Sequence, residues 1–138
     1  MKRLLLIVLP LLLIVGCSKP IDDDSLVERN GIHYQVNSET PYSGKSFSLH
    51  DNGQKYYERT FKDGKQDGLF TRWDENGQKK DEIPFKDGKE NGLWTRWGEN
   101  GQKKWEITFK DGKENGLWTE WDENGWKRFE VTYKDGEI

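Results

Sequence analysis

The chain repeats itself every 24 residues, and no other feature limits its possible folds as strongly. Gly44, Gly68, Gly92 and Gly116 are spaced by 24, as are Gly53, Gly77, Gly101 and Gly125, and as are Gly64, Gly88, Gly112 and Gly136. The units that start at Gly68 and Gly92 agree at 20 of 24 positions, differing only at Phe70/Trp94, Asp74/Gly98, Asp81/Trp105 and Pro84/Thr108. Self-similarity at this period marks a stacked array, in which each unit buries its apolar surface against its neighbours. The units are 44–67, 68–91, 92–115 and 116–138.

Each unit reads as one β-hairpin. Gly92 to Trp97 is a short strand candidate, Asn100-Gly101 is a strong two-residue hairpin signal, and Lys104 to Lys110 alternates as a second strand. Asp111-Gly112 and Asn115-Gly116 supply residues that tolerate positive φ, so the chain turns again into the next unit. In the second strand Trp105, Ile107 and Phe109 share one side, while Lys104, Glu106 and Thr108 share the other. A two-residue turn at Asn100-Gly101 places Trp94 across from Ile107 on the apolar side and Trp97 across from Lys104 on the polar side. A slip of one residue would move the first strand to the opposite face.

Ahead of Gly44 the period fails, since Asn30-Gly31 sits two residues from its repeat position. Leu26 to Glu28 and Ile32 to Val36 still suit a hairpin, so 26–43 is expected to be an atypical unit that closes the array. Residues 17–25, with Asp22-Asp23-Asp24, are expected to be a solvated tether.

The first sixteen residues are of another kind. A positive start at Lys2 and Arg3 precedes an apolar run from Leu4 to Val15, too short for a comfortable membrane span and of the length of a signal peptide. The run ends in Ile14-Val15-Gly16-Cys17, which resembles the lipobox of bacterial lipoproteins. The resemblance implies cleavage after residue 16, acylation of Cys17, and a protein held by lipid in the cell envelope, at the outer membrane if the source is Gram-negative. Cys17 is the only cysteine, so no intramolecular disulfide can form. A plain signal peptide or an N-terminal anchor with an incidental cysteine is the alternative.

Without Lys2 and Arg3 the mature chain has 20 basic and 25 acidic residues, a balance of −5. That argues against nucleic acid as a partner, because such binding rests on phosphate neutralisation by Lys and Arg. Leu, Ile, Val and Phe supply only 19 of the 122 mature residues, a level at which disorder competes with folding. The 7 Trp, 5 Tyr and 6 Phe, together with the absence of alanine, favour strands instead. The expected class is all-β: a single-layer antiparallel array of about ten strands.

With the units laid out, a family resemblance rests on named residues. Gly92 to Trp97, Glu99 to Lys104 and Phe109 to Lys113, with Gly116 following, resemble the bacterial variant of the MORN repeat. The degenerate first unit with Pro41-Tyr42-Ser43-Gly44 resembles the YwqK-type antitoxin family. The resemblance covers about 26–138 and implies a β-hairpin array with a role in protein interaction or membrane association. An antitoxin role fits an exported chain only where the toxin is exported as well.

Nearly every polar residue recurs with the period, which is unlike an enzyme, and neither catalysis nor a cofactor or metal is expected. His33 and His50 are the only histidines, no serine follows Ser48, and no triad layout is found between 33 and 50. Glu58, Glu82, Glu106 and Glu130 form a ladder whose rungs should lie roughly 10 Å apart at two strands per unit, too far to share an ion. They are expected to pair with nearby Lys and Arg on a wet face. The candidate binding face is the aromatic ladder Trp73, Trp97 and Trp121, flanked by Lys80, Lys104 and Arg128. Such a row could simply cover the sheet. It could also grip a protein strand, an envelope glycan or a lipid headgroup.

Overall fold

The structure, a computed structural model, describes residues 18–138. The expected signal peptide and the expected lipidation of Cys17 therefore lie outside the described residues. The chain begins with β1 (Ile21–Asp22), a 3-10 turn at Asp23–Ser25, β2 (Leu26–Arg29) and β3 (Ile32–Gln35). The array follows as β4 (Gly44–Leu49), β5 (Lys55–Lys62), β6 (Lys65–Gln66), β7 (Gly68–Trp73), β8 (Lys79–Lys86), β9 (Lys89–Glu90), β10 (Gly92–Trp97), β11 (Lys103–Lys110), β12 (Lys113–Trp121) and β13 (Lys127–Tyr133). All but β2 and β3 join one 11-stranded sheet along β1-β4-β5-β7-β8-β10-β11-β12-β13, with β6 and β9 pairing β5 and β8. The hairpins of this sheet are antiparallel, and β2 and β3 form a separate hairpin. The expected all-β hairpin array is the observed fold.

The turns exchange roles relative to the sequence reading. Asp63, Asp87, Asp111 and Asp135 have φ near +50° and each precedes a glycine of positive φ. Asp111-Gly112 thus closes a two-residue hairpin between Lys110 and Lys113, the geometry in which two left-handed residues match the twist of the strands. Asn100 has no positive φ. Around it Gly101 N donates to Gly98 O at 3.1 Å and Gly98 N to Gln102 O at 2.8 Å, leaving only Gly101 left-handed at φ +75°. This longer turn carries a bulge between Arg96 and Trp97, so Trp97 faces Lys103 and not Lys104. Trp94 does face Ile107, as the two-residue reading required.

Units are tied along both turn rims. Gly88 N donates to Gln66 O at 2.8 Å, Gly112 N to Glu90 O at 2.9 Å and Gly136 N to Glu114 O at 2.8 Å. Gly64 N makes the same bond to Tyr42 O at 2.7 Å, so the backbone period reaches two residues further back than the glycines show. On the other rim Asn52 Nδ2 donates to Glu75 O at 2.8 Å and Asn100 Nδ2 to Glu123 O at 3.0 Å.

Pairing separates two faces. On one, Trp94 meets Trp105 and Phe109 at ring separations of 4.8 and 5.8 Å, and Trp118 meets Phe129 at 5.4 Å. The other carries Thr71, Thr95 and Thr119, all buried, with Thr95 Oγ1 donating to Glu106 Oε1 at 3.2 Å. A single layer has no second sheet to cover it, and among the described residues only Tyr42, Phe61 and Ile107 are buried hydrophobics.

Residues 21–25, expected to belong to a solvated tether, are held against the sheet. Ile21 and Asp22 pair in parallel with Ser46 and Phe47 at the edge of β4, and Asp23 turns inward. Its carboxylate accepts from Ser46 Oγ at 2.6 Å, Tyr57 Oη at 2.7 Å and Arg59 Nε at 2.8 Å. An acidic run looks solvated in sequence. Here one of its three carboxylates supplies the counter-charge for a half-buried arginine.

Candidate binding face

Trp73, Trp97 and Trp121 end β7, β10 and β12, each just before the turn that contains an Asn-Gly pair. All three are half-buried. The bulge sets Lys79, Lys103 and Lys127 opposite them. The ammonium of Lys55 lies 5.2 Å from the Trp73 ring centre and that of Lys79 lies 5.3 Å from Trp97, so the cation over each of these rings comes from the preceding hairpin. Among the described residues no cation is stacked in this way on Trp121.

The three flanking cations differ from one another. Lys80 Nζ lies 3.6 Å from Asp74 Oδ2, and Arg128 Nη1 lies 4.0 Å from Glu120 Oε1. Lys104 is exposed and forms no ion pair with the described residues. All three line a cleft of about 1020 Å³ together with Trp97, Trp121, Arg72, Arg96 and Gly98. Trp73 is not among its lining residues. The structure therefore brings together most of the ladder expected from sequence, at the Asn-Gly rim of the last three units.

The glutamate ladder is paired, as expected. Glu58 lies 2.8 Å from both Lys45 and Lys55, and Glu82 3.2 Å from Lys79, while Glu106 and Glu130 pair with Lys103 and Lys127. Burial pushes the Glu58 carboxyl up, but hydrogen bonds and charge from Lys45 and Lys55 hold it below the usual range. Both histidines are engaged with the scaffold. His50 Nε2 donates to Trp73 O at 3.0 Å, and His33 Nδ1 to Gly64 O at 3.3 Å.

Sequence reasoning missed the second carboxylate hub. Asp81 is 1% exposed and accepts from Arg96 Nε at 2.6 Å and Trp94 Nε1 at 3.2 Å, and it also pairs with Arg72. Burial pushes its carboxyl up, yet the hydrogen bonds from Arg96 and Trp94 and the charges of Arg96 and Arg72 hold it below the ordinary carboxylate range. At Asp23 burial is likewise outweighed, by Arg59, Ser46 and Tyr57, while burial and Asp23 push the Tyr57 hydroxyl up to about 12. The available signal was the break of the period at Asp81/Trp105. Reading it required knowing that Arg72 and Arg96 share the face of Asp81. One unit on, Trp105 stands at the equivalent place, and the buried Trp118 Nε1 has no acceptor among the described residues.

Comparison with known proteins agrees with this architecture. The model described as "MORN repeat variant" matches residues 66–87, 90–111 and 114–135. Each match runs from the second residue after one Asp-Gly turn to the aspartate of the next. Residues 44–65 are not matched, although β4 and β5 pair in the same register as the later hairpins, Gly44 against Phe61 as Gly92 against Phe109. No curated protein and no solved structure matches the chain.

Proposed function

We propose that this chain, which carries three copies of the MORN repeat variant, is an interaction module of the cell envelope, held to the membrane by an acyl group on Cys17 and binding another protein through its sheet. The carrying observation is apolar surface that the fold does not use. Leu69, Leu93 and Leu117 are 43%, 48% and 45% exposed at equivalent positions of three successive units, and Trp126 is 74% exposed. Single exposed leucines are ordinary, but a row of them that recurs with the period on the face of the tryptophan ladder is apolar surface of the kind associated with protein contacts. An antitoxin-like role, neutralising an exported toxin, is one form of this reading. Binding of an envelope glycan or lipid headgroup is the second reading, favoured by the indole of Trp121, which lines the cleft without a cation stacked on it.

Two measurements test the proposal. Mass spectrometry of the protein from its native envelope should find a mature chain starting at an acylated Cys17, and Cys17→Ser should abolish the modification. Unmodified protein starting elsewhere would remove the anchor. Triple replacement of Leu69, Leu93 and Leu117 by Ser should lower partner capture by the full-length protein far more than it lowers thermal stability. Undiminished capture would remove the sheet strip, and retention of the wild-type protein by purified peptidoglycan or liposomes in place of protein would favour the second reading.

A further inference from the structure

In the second and fourth units an aspartate opens the Asn-Gly turn, whereas the first unit has His50 at that position and the third has Gly98. Asp74 Oδ1 accepts from Asn76 N and Gln78 N at 2.9 Å each, and its other oxygen faces Lys80. Asp122 makes the same two backbone bonds, to Asn124 N and Trp126 N. The equivalent residue in the third unit is Gly98, where Asn100 Oδ1 takes over the bond from Gln102 N at 3.0 Å. The turn is thus satisfied without an aspartate, while Lys104, the counterpart of Lys80, is left with no acidic partner among the described residues.

Gly98 is not required by the backbone. It is the one glycine of the described residues whose φ lies outside the left-handed range, and a Cβ there would meet only the end of the Asn100 side chain, at 3.1 Å, and Gln102 O, at 3.8 Å. The missing side chain opens onto the cleft of about 1020 Å³, whose lining combines Arg96, Lys104 and Arg128 with the indoles of Trp97 and Trp121 and also includes Glu99, Asp122 and Glu123, none of which pairs with Lys104. Glu120 lies near Arg128, but at 4.0 Å it is a loose partner. A site that has lost a carboxylate and kept its cation is complementary to a carboxylate brought from outside.

We propose that the cleft at Gly98 receives an acidic side chain of a partner protein, whose carboxylate takes the place that Asp74 and Asp122 fill in the neighbouring units and pairs with Lys104. This rests on the protein-interaction reading above and names the chemistry of the partner segment. The flanking indoles cover the methylene stem of the incoming residue.

The test is fluorescence polarisation of labelled hexaglutamate with the full-length protein in detergent, with hexalysine as control. Wild type should bind hexaglutamate and not hexalysine, and both Gly98→Asp and Lys104→Ala should weaken binding by at least about tenfold. Gly98→Asp restores the internal pair, so it should melt at or above the wild-type temperature. If it fails to fold, Lys104→Ala decides alone. Unchanged affinity in a folded Gly98→Asp would overturn the proposal, as would displacement of the peptide by inorganic phosphate as readily as by free glutamate. If Gly98→Asp still captures the native partner, this site falls while the interaction reading stands. If wild type captures no partner yet shows the hexaglutamate pattern, the interaction reading falls while the site stands.

Discussion

At the scale of single residues, two carboxylates do work that the sequence conceals. Asp81 satisfies two arginines and an indole in a place where the next units have Trp105 and Phe129. Removing it leaves two cations facing an apolar surface, and because Arg72 and Arg96 each keep about a third of their side chain in water, Asp81→Ala should cost about 2–4 kcal/mol in chemical denaturation. The pKa values of Asp81 and Asp23 are both lowered by folding, so their stabilisation is full above the unfolded carboxylate value of about 4 and disappears as the pH falls through the lower folded values. The melting temperature should therefore be flat from about pH 7 to 5 and drop below about pH 4, and the gap between wild type and Asp81→Asn should narrow over that drop. A gap that widened in acid would contradict this assignment. Phe109 and Trp97 separate the faces in the same way. Phe109 packs on Trp94 in the ring-bearing face, and Phe109→Ala should cost about 2–4 kcal/mol, while Trp97→Ala, on the polar face under Lys79, should cost about 1–2. Equal large losses in thermal melts would place the tryptophan ladder in the core.

Among the elements, the hairpins and their alternation were legible because period two and period 24 are both written in side chains. Ile107 and Phe109 share a face, Trp94 opposes Ile107, and the atypical Leu26–Arg29 and Ile32–Gln35 hairpin forms where expected. The turn types were not legible. Asn-Gly and Asp-Gly both tolerate left-handed backbone, and only the pairing shows that Asp111-Gly112 is the two-residue turn, while Asn100 uses its side chain to bond Gln102 N and Glu123 O. Substitution should expose the difference. Asp111→Val puts a β-branched residue at φ +52° and should cost about 1–2 kcal/mol, whereas Asp111→Asn should be nearly neutral. At Asn100, replacement by Val should cost about 1 kcal/mol through the lost side-chain bonds alone. The docking of β1 was also invisible, since Asp23 reaches Ser46, Tyr57 and Arg59 across more than twenty residues of sequence and no local pattern announces it.

For the molecule as a whole, stability comes from stacking along one sheet rather than from a closed core. Backbone bonds at the Asp-Gly rim tie each unit to the next, side-chain bonds at the Asn-Gly rim add links from the first unit to the second and from the third to the fourth, and such arrays lose structure by units. The function proposed follows from what this construction leaves over: a leucine strip, an indole row, and a cleft at the third unit where Gly98 stands in place of the aspartate of the second and fourth. Of these the indole row was legible in the sequence, and the leucine strip and the Gly98 cleft needed the register. The most direct test of the interaction reading is site-specific photo-crosslinking in the native envelope, with the reactive group placed in turn at Lys104, at Leu93 and, as control, at Lys89 on the Asp-Gly rim. The expected result is one discrete protein adduct from Lys104 and Leu93 and none from Lys89. Adducts formed equally from all three positions, or from Lys89 alone, would contradict it.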